Sequence, residues 1–327
     1  MSLKKITFKT TKAHSQMRLD QVLSEELPAK LGQPVSKSSI RKLIVAGAVY
    51  VEKKRTRIAS RIIPPQRMIN IWIDEHKLFS SGRWLFRPFD MTQEHILYED
   101  EYIIAIDKPP HLPTQPTLDE ARDNLFAALK RFITTRDNIV EPYLGLHHRL
   151  DRDTSGVIIF AKRREANAGL SRIFSQHEAV KVYNALTIKP KHDTGTLPSA
   201  WSVKNYIKRS NTSGKRGHFV STNSGGDYAH TDFQILEILA DGLLIEALPK
   251  TGRTHQIRVH LAEAGIPILG DENYGGSAML KIGQNKIARL MLHAMSLTFC
   301  HPVNKTELTI RSPLPRDFLQ CLQALRK

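Results

Sequence analysis

Nine consecutive residues bring together most of the side-chain types that acid, base and anion chemistry requires. Within them lie one imidazole, two guanidiniums and two carboxylates, in the order His148-Arg149-Leu150-Asp151-Arg152-Asp153-Thr154-Ser155-Gly156. An apolar run, Val157-Ile158-Ile159-Phe160, follows directly. A charged loop that leads into such a strand is poor core material, so it is either a solvated turn or part of a functional site.

Part of this stretch, Asp153-Thr154-Ser155-Gly156, matches the Asp-Thr-Ser-Gly string of aspartic proteases. Those enzymes need two carboxylates that share one proton, and therefore a second copy of the string. The second candidate, Asp193-Thr194-Gly195-Thr196, begins only 40 positions later, which is too close for each aspartate to come from its own lobe. Both strings also follow polar residues where the protease would need apolar strands. The sequence therefore disfavours a protease.

The longer pattern His-Arg-Leu-Asp-x-x-Thr-Ser-Gly resembles the signature of pseudouridine synthases of the RluA type. Further motifs of that family stand in the same order along residues 95–325. They are Lys108-Pro109-Pro110, Lys181-Val182-Tyr183-Asn184-Ala185, Gly252-Arg253-Thr254-His255-Gln256-Ile257-Arg258-Val259-His260, Pro267-Ile268-Leu269-Gly270-Asp271 and Leu292-His293-Ala294. The resemblance implies an α+β catalytic domain, with a mixed, largely antiparallel sheet, flanking helices and an active site in a central cleft.

The same resemblance implies an isomerase that converts uridine to pseudouridine in RNA. This reaction breaks the N-glycosidic bond, turns the uracil and rejoins it through carbon without redox change, so we expect neither a cofactor nor a metal. A carboxylate in a closed pocket needs a cation to remain charged. The resemblance assigns Asp151 as the catalytic carboxylate and Arg253 as its partner, and leaves Asp153 to serve the loop. It adds Tyr183, whose ring would stack on the uracil and whose hydroxyl would move a proton.

Uridine inside folded RNA must be extracted from the stack before it can react. The resemblance gives Arg149 the role of filling the vacated space, which a planar guanidinium suits. A structural salt bridge to a neighbouring carboxylate is the alternative for this residue. We place His148, its neighbour, with it among the expected RNA-binding residues.

Several histidines invite a metal interpretation: His147, His148, His255, His260 and His293. His255 and His260 are five positions apart, however, and not the four that place two ligands on one helical face. The spacing favours histidines that are hydrogen-bonded parts of the scaffold, and no metal site.

Composition limits the class of protein. The 327 residues suit one large domain with a small one, and 41% hydrophobic with 24% charged residues is typical of a soluble globular protein. The apolar runs have the length of strands and do not reach a membrane span, so we expect no membrane partner. The two cysteines, Cys300 and Cys321, form no Cys-x-x-Cys motif, which favours a cytoplasmic protein. We expect a monomer.

The formal charge of +16 suggests a polyanionic partner, and it is concentrated at the N-terminus. Residues 1–75 hold 15 Lys and Arg against 6 Asp and Glu. Residues 18–23 and 36–46 have helical periodicity, the latter with Gly47 at its C-terminal end, whereas 48–51 and 68–73 read as strands. These elements resemble the S4 RNA-binding domain, with an unrelated basic helical hairpin as the alternative.

The predicted division is an S4-like RNA-binding domain at 1–76, a linker at 77–94 and the catalytic domain at 95–327. In the first part we expect exposed basic residues to contact phosphates, which gives affinity and salt dependence without sequence choice. These residues are Lys37, Arg41 and Lys42 on the second helix and Lys53, Lys54 and Arg55 in a predicted turn.

Two segments of the catalytic part depart from the family pattern. They are Pro110-His111-Leu112-Pro113-Thr114-Gln115-Pro116 after Lys108-Pro109, and Gly226-Asp227-Tyr228-Ala229-His230-Thr231. We expect neither to touch the catalytic residues and both to bear on substrate choice. The sequence also predicts a helix over 123–134 and an exposed polar excursion over 205–227.

The main hypothesis is an RNA pseudouridine synthase that acts on large-subunit (23S-type) ribosomal RNA. A transfer RNA substrate is the first alternative. A hypothesis of another class is a non-catalytic RNA-binding or ribosome-assembly protein on the same scaffold, against which the presence of Asp151, Tyr183 and Arg253 argues.

Overall fold

The computed structural model describes residues 4–73, 88–116, 123–189, 198–210, 218–275, 281–282, 285–286 and 289–326. Contacts divide the chain into two compact units, whose described residues are 4–73 and those from 88 onward. Most of the predicted linker, residues 77–87, lies outside the described residues. No helix in the described part is long and apolar enough to cross a membrane.

The first unit packs two α-helices on a four-stranded antiparallel sheet. Its elements are β1 (Lys4–Lys9), α1 (Leu19–Leu31), α2 (Lys37–Ala46), β2 (Val49–Val51), β3 (Lys54–Thr56) and β4 (Met68–Ile73). The strand order in the sheet is β1-β4-β2-β3. Alternate residues of β4, namely Ile69, Ile71 and Ile73, are fully buried, as their spacing predicts.

Helix α2 starts and ends as predicted, but the basic turn after it does not. The Ser36 hydroxyl accepts a hydrogen bond from the Ser39 backbone N–H, and Gly47 ends the helix with a φ of 77°. The chain reverses at Glu52 and Lys53, whose φ angles are 49° and 65°, and Lys54 already belongs to β3. The prediction of a turn over residues 53–55 was therefore wrong, because pairing of β2 with β3 moves the turn towards Glu52.

The second unit has an 11-stranded sheet, with helices packed against its strands. The helices are α3 (Leu125–Asp137), α4 (Glu165–Ser175), α5 (Gln256–Glu263) and α6 (Arg316–Leu325). The strands of the sheet are β5 (Ile96–Glu99), β6 (Ile103–Lys108), β7 (Gly145–Leu146), β8 (Ser155–Ala161), β9 (Val180–Ile188), β10 (Ala200–Arg209), β11 (Phe219–Thr222), β12 (Asp227–Ile238), β13 (Gly242–Pro249), β16 (Leu292–Cys300) and β17 (Glu307–Arg311). Two short strands, β14 (Lys281–Ile282) and β15 (Asn285–Lys286), pair with each other.

The main path of the sheet runs β11-β10-β12-β13-β9-β16-β8-β6-β5, with β17 beside β16 and β7 beside β8. Among the described strands, β8 and β16 form the one parallel pair, and the other pairs are antiparallel. The predicted mixed, largely antiparallel sheet flanked by helices is confirmed. The predicted helix over 123–134 is α3, which starts after Asn124 caps the Ala127 backbone N–H.

The parallel pair explains the glycine at the start of β8. Gly156 has a φ of 117°, and a Cβ built there would lie 2.2 Å from the Ala294 carbonyl oxygen, so only glycine fits. Ser155 and Gly156 are thus the first residues of a strand. The turn of this charged loop lies before the strand, at Arg152 and Asp153, and is closed by a hydrogen bond from the Thr154 N–H to the Asp151 carbonyl.

The polar excursion predicted over 205–227 was also wrong in large part. Its first residues belong to β10, residues 219–222 form β11, and Asp227 starts β12. Polar side chains alternate along these strands because one sheet face is exposed, and composition alone mistakes that alternation for a loop. Residues 211–217 lie outside the described residues.

Candidate active site

A cleft of about 570 Å³ in the second unit is lined by residues from four of the predicted motifs, one of which contributes Leu292. The loop before β8 contributes Asp151, strand β9 contributes Lys181 and Tyr183, and the segment that leads into α5 contributes Arg253. The structure thus brings together the three residues predicted to be catalytic.

Asp151 forms an ion pair with Arg258, and not with Arg253. The distance from Arg258 Nη1 to Asp151 Oδ2 is 3.3 Å, and His255 Nε2 lies 3.8 Å from the same oxygen. Arg258 is also held by Asp271, through Nε to Oδ2 at 2.7 Å and Nη2 to Oδ1 at 2.9 Å. Burial acts to lower the pKa of Arg258, but the hydrogen bonds and charge of Asp271 outweigh it and raise that pKa above its ordinary value.

The predicted pairing of Asp151 with Arg253 is therefore corrected. Arg253 lines the cleft, but its Nε donates to the Tyr228 carbonyl oxygen at 2.9 Å. Arg258 reaches Asp151 because it lies in the first turn of α5, which starts after His255 with a left-handed φ of 59°. Both arginines belong to one sequence motif, and only the geometry of the helix start distinguishes them.

The backbone on both sides of Asp151 is held by hydrogen bonds from two side chains, those of Thr114 and Lys108. The Thr114 hydroxyl donates to the Leu150 carbonyl at 2.8 Å and accepts from the Leu150 N–H at 3.2 Å. The fully buried Lys108 ammonium donates to the carbonyls of Pro109, Leu112 and Arg152 at 2.9, 2.8 and 3.0 Å. Burial lowers the pKa of Lys108 to about 7, although the charges of Asp153 and Asp151 oppose this.

Asp153, two positions after Asp151, is occupied by other contacts. Arg152 Nε and Nη2 donate to its two oxygens at 3.0 and 2.9 Å, and His111 Nδ1 lies 3.0 Å from Oδ1. Burial acts to raise the pKa of Asp153, but the hydrogen bonds and charge of Arg152, together with His111, lower it below its usual range. Asp153 does not line the cleft, in agreement with its expected role in the loop.

Tyr183 lies on β9 and contacts the hydrophobic clusters on both sides of that strand. Burial, and then the negative charge of Asp151, raise the pKa of its hydroxyl above the ordinary value. The phenol is therefore protonated at neutral pH and has a proton to donate in the cleft.

His148 and Arg149 are adjacent in the sequence but differ in exposure and in their contacts. His148 stacks on Phe174 with ring centroids 4.1 Å apart, and its Nε2 accepts from the Ile159 N–H at 3.0 Å. Burial, and then the charges of Lys181 and His147, lower the pKa of His148 to about 3, so the ring is neutral. Arg149 is exposed and donates to the Thr254 hydroxyl at 3.1 Å, and no carboxylate among the described residues forms an ion pair with it.

The other four histidines that were considered as metal ligands are hydrogen-bonded within the protein, as predicted. His147 pairs with Asn167, His255 with Tyr274 and His293 with Ser155, at 2.9 Å each. His260 contacts Thr231 and Asn205 at 3.0 and 2.9 Å.

The expectation that the two unusual segments avoid the catalytic residues was wrong for the second segment, whereas the described contacts of the first reach the neighbours of Asp151. Thr114, in the first segment, supports Leu150 beside Asp151, and His111 contacts Asp153. Tyr228, in the second, accepts the hydrogen bond from Arg253. Contacts between positions this far apart in the chain are not visible in sequence spacing.

Gln256 joins the second of these segments to the loop before α5. Its Oε1 accepts from the Thr251 hydroxyl at 2.7 Å and the Arg253 N–H at 3.0 Å. Its Nε2 donates to the His230 carbonyl at 3.0 Å and the Thr231 hydroxyl at 2.8 Å.

Sequence reasoning assigned no role to Arg258, Asp271, Lys108, Thr114 or Gln256. The first three and Gln256 lie within quoted motifs, and their place in those motifs was the available signal. Thr114 gave none.

In the first unit the basic residues predicted to bind RNA differ in their contacts with the rest of the protein. Lys37, Lys53 and Lys54 are exposed. Arg55 lies over the Tyr50 ring, 5.2 Å from its centroid. Arg41 donates through Nε to Asp20 Oδ2 at 3.2 Å, and Arg18 binds the same carboxylate through two nitrogens at 3.1 and 2.9 Å. Lys42, the remaining member of the set, is exposed on α2.

Known proteins resemble this chain over nearly its whole length. The family described as RNA pseudouridylate synthase matches residues 102–263. Ribosomal large subunit pseudouridine synthase C of Vibrio cholerae is 30% identical over 320 residues, which cover 95% of this chain and 93% of that protein. Ribosomal large subunit pseudouridine synthase D of Escherichia coli O157:H7 is 30% identical over 319 residues, or 94% and 90% of the two chains. Among solved structures, human RNA pseudouridylate synthase domain containing 4 is 27% identical with a TM-score of 0.59, covering 76% of this chain and 98% of that one.

Proposed function

Because the chain belongs to the RNA pseudouridylate synthase family and is an isomerase that acts on RNA, we propose that its substrate is a uridine of large-subunit ribosomal RNA. The names of the relatives that match along the whole chain support this choice. The protein acts in the cytoplasm as a monomer. We prefer ribosomal RNA over transfer RNA as the substrate because the names of both relatives refer to the large ribosomal subunit.

The observation that carries the mechanism is the Asp151–Arg258–Asp271 arrangement. The Arg258 guanidinium forms an ion pair with Asp151, while Asp271 holds the guanidinium in place. Asp151 Oδ1 is left to act on the nucleoside in the cleft. During the reaction the bond between ribose C1′ and uracil N1 breaks and a bond from C1′ to C5 forms. The C5 proton leaves and N1 gains a proton.

Three further residues serve this step. Tyr183 stacks on the uracil and supplies a hydroxyl proton donor within the cleft. Arg149 fills the space that the flipped uridine vacates, because its guanidinium is exposed and forms no ion pair with a described residue. Arg253 contacts RNA at the cleft and not Asp151. His148 supports the loop as a neutral ring.

The first unit, within residues 1–76, serves as an S4-like RNA-binding domain, joined by residues 77–94 to a catalytic domain at 95–327. Support comes from its separate core and from the exposed lysines Lys37, Lys53 and Lys54. Their role is to bind phosphates, with a salt-dependent affinity.

The test uses large-subunit ribosomal RNA transcribed with uridine tritiated at C5, because formation of the C1′–C5 bond releases that tritium to water. We expect the wild type to release tritium and Asp151→Asn to lose at least about a thousandfold in rate, since the amide cannot act as a carboxylate. Asp153→Asn is the matched control, in the same loop but outside the cleft, and should retain most of the rate.

Equal rates for wild type and Asp151→Asn would refute the assignment of Asp151. Release from transfer RNA transcripts alone would move the substrate to transfer RNA. No release from either RNA, with binding intact, would favour the non-catalytic RNA-binding protein.

A further inference from the structure

The cleft carries more positive charge than its carboxylate requires. Four cationic side chains line it, namely Arg149, Lys181, Arg253 and Arg258, whereas Asp151 is its one acidic lining residue among the described residues. Arg258 is already shared between Asp151 and Asp271. The charges of the other three are not used by the proposed isomerisation step.

Lys181 is one of these three and is partly buried. It lies two residues before Tyr183 on β9, so both side chains point to the same sheet face, towards the cleft. Its Nζ donates to the Thr251 carbonyl oxygen at 3.3 Å, which occupies one of three ammonium protons. No carboxylate in the described part of the chain forms an ion pair with it. Burial lowers its pKa to about 8, as expected for an ammonium without a charge partner.

Arg253 converges on the same space from the loop before α5. Its Nε is fixed by the Tyr228 carbonyl, which leaves its two terminal nitrogens to a ligand as far as the described residues show. His177 also lines the cleft. Burial is the main cause that lowers its pKa, and the charges of Lys181 and Arg253 lower it further. Two cations therefore lie close to a single imidazole.

Gly252 opens the approach to Lys181. A Cβ built at this exposed glycine would have one neighbour within 4 Å, the Lys181 Nζ at 3.8 Å. The φ angle of Gly252 is outside the left-handed region, so its backbone does not require glycine. The absent side chain instead leaves the ammonium accessible from the cleft.

We propose that Lys181 and Arg253, with Gly252 between them, form a phosphate subsite that binds one of the two phosphodiesters attached to the target uridine. This inference rests on the proposed function and deepens it. Uracil and ribose are uncharged at neutral pH, so a phosphodiester is the anion that a uridine in RNA brings into the cleft. A compact ammonium and a fixed guanidinium suit its oxygens. The subsite positions the flipped nucleotide so that its base lies beside Asp151 and Tyr183.

The test compares three small probes, uridine, uridine 3′-phosphate and uridine 5′-phosphate, by titration calorimetry with the full chain. We expect one of the two nucleotides to bind wild type about tenfold tighter than uridine, because a charge-assisted contact is gained. The nucleotide preferred identifies which phosphodiester is bound. Lys181→Met should abolish the preference, and Lys181→Arg should retain part of it.

Lys250→Met is the matched control. Lys250 forms an ion pair with Asp232 at 3.2 Å and does not line the cleft, so its loss should leave the preference unchanged. Thermal melting should give similar midpoints for the lysine variants and wild type, because Lys181→Met removes a partly buried charge that has no ion-pair partner among the described residues.

Equal affinity for all three probes, or a preference that survives Lys181→Met, would overturn the subsite. The tritium assay reports separately on the proposed function. A preference for phosphate without isomerisation would retain the subsite and reject the activity, and the reverse result would reject the subsite alone.

Discussion

Each unit of the protein contains a cluster of three charged side chains, built from carboxylates and guanidiniums. The ratio of the two groups is reversed between the units. In the first unit the Asp20 carboxylate lies between two guanidiniums, those of Arg18 and Arg41. In the second unit the Arg258 guanidinium lies between two carboxylates, those of Asp151 and Asp271. The first cluster has a positive charge to spare and the second a negative one.

Burial separates the two clusters further. The side chains of Arg18 and Arg41 are 43% and 62% exposed, whereas those of Arg258 and Asp271 are 7% and 1% exposed. Water screens the first cluster, so its ion pairs contribute little energy. The second is largely shielded, and loss of one partner there leaves an uncompensated buried charge. The same chemistry therefore ties helices together in one unit and holds a reactive group in the other.

The largest effect is expected at Arg258. Arg258→Met should lower the rate of tritium release by about a thousandfold or more and the free energy of unfolding by about 3 kcal/mol, because two carboxylates lose their cation. Arg258→Lys keeps the charge without the two-pronged contact to Asp271, and should retain the fold with an intermediate rate. Single-turnover rates and denaturant unfolding measure both quantities. A rate for Arg258→Lys equal to wild type would show that charge alone suffices.

Asp271→Asn isolates the outer half of the buried cluster. Arg258 keeps Asp151 but loses its charged anchor, so we expect the single-turnover rate to fall about tenfold and the free energy of unfolding by about 2 kcal/mol. Asp317→Asn is a suitable control, because Asp317 binds Arg289 with similar two-pronged geometry, but Arg289, unlike Arg258, does not line the cleft. If both variants lost the same rate, general destabilisation would explain the result.

Asp20 tests the exposed cluster and gives a pH dependence. Burial acts to raise the pKa of Asp20, but the hydrogen bonds and charges of Arg18 and Arg41 lower it below its ordinary value of 3.8. Its contribution is therefore present above pH 3.8 and is lost as the pH falls through the lowered value. Asp20→Asn should cost about 1 kcal/mol of unfolding free energy at pH 7 and progressively less below pH 4, with an unchanged single-turnover rate. A difference that persists undiminished at pH 2 would contradict the ion-pair explanation.

The smallest effect is expected from the exposed lysines of the first unit. Lys53→Ala with Lys54→Ala should weaken RNA binding a few-fold and reduce the slope of log affinity against log salt by about 1 to 2, because about two phosphate contacts are lost. The control pair, Lys208→Ala and Lys305→Ala, removes the same charge from the second unit. Equal slopes for both pairs would show that the first unit has no special role in binding.

The extent of prediction from sequence differs between fold and site. The strands were predictable where burial is one-sided and regular, as in β4. The loop of Asp151 was predictable too, because a nine-residue pattern with seven specified positions is improbable by chance. The strands within 205–227 were missed because an exposed sheet face has the composition of a loop.

The choice of Arg258 over Arg253 was not predictable for a different reason. It depends on the left-handed residue His255, which sets where α5 begins and hence which guanidinium turns towards Asp151. The support from Thr114 joins positions 36 residues apart and has no periodic trace. Local pattern indicates which residues matter, whereas three-dimensional packing decides which atoms meet.

The buried ammonium of Lys108 has a consequence for the time course of loop opening. Its three protons are accepted by carbonyls of Pro109 and Leu112 on one chain segment and Arg152 on another. Withdrawing one segment would leave a buried amino group without one of its hydrogen-bond acceptors, at a cost that is relieved only when water enters. The loop that carries Asp151 is therefore expected to open in one cooperative step and not to fray from its ends. In hydrogen exchange, the amides of residues 150 and 154 should become labile together, at a single rate.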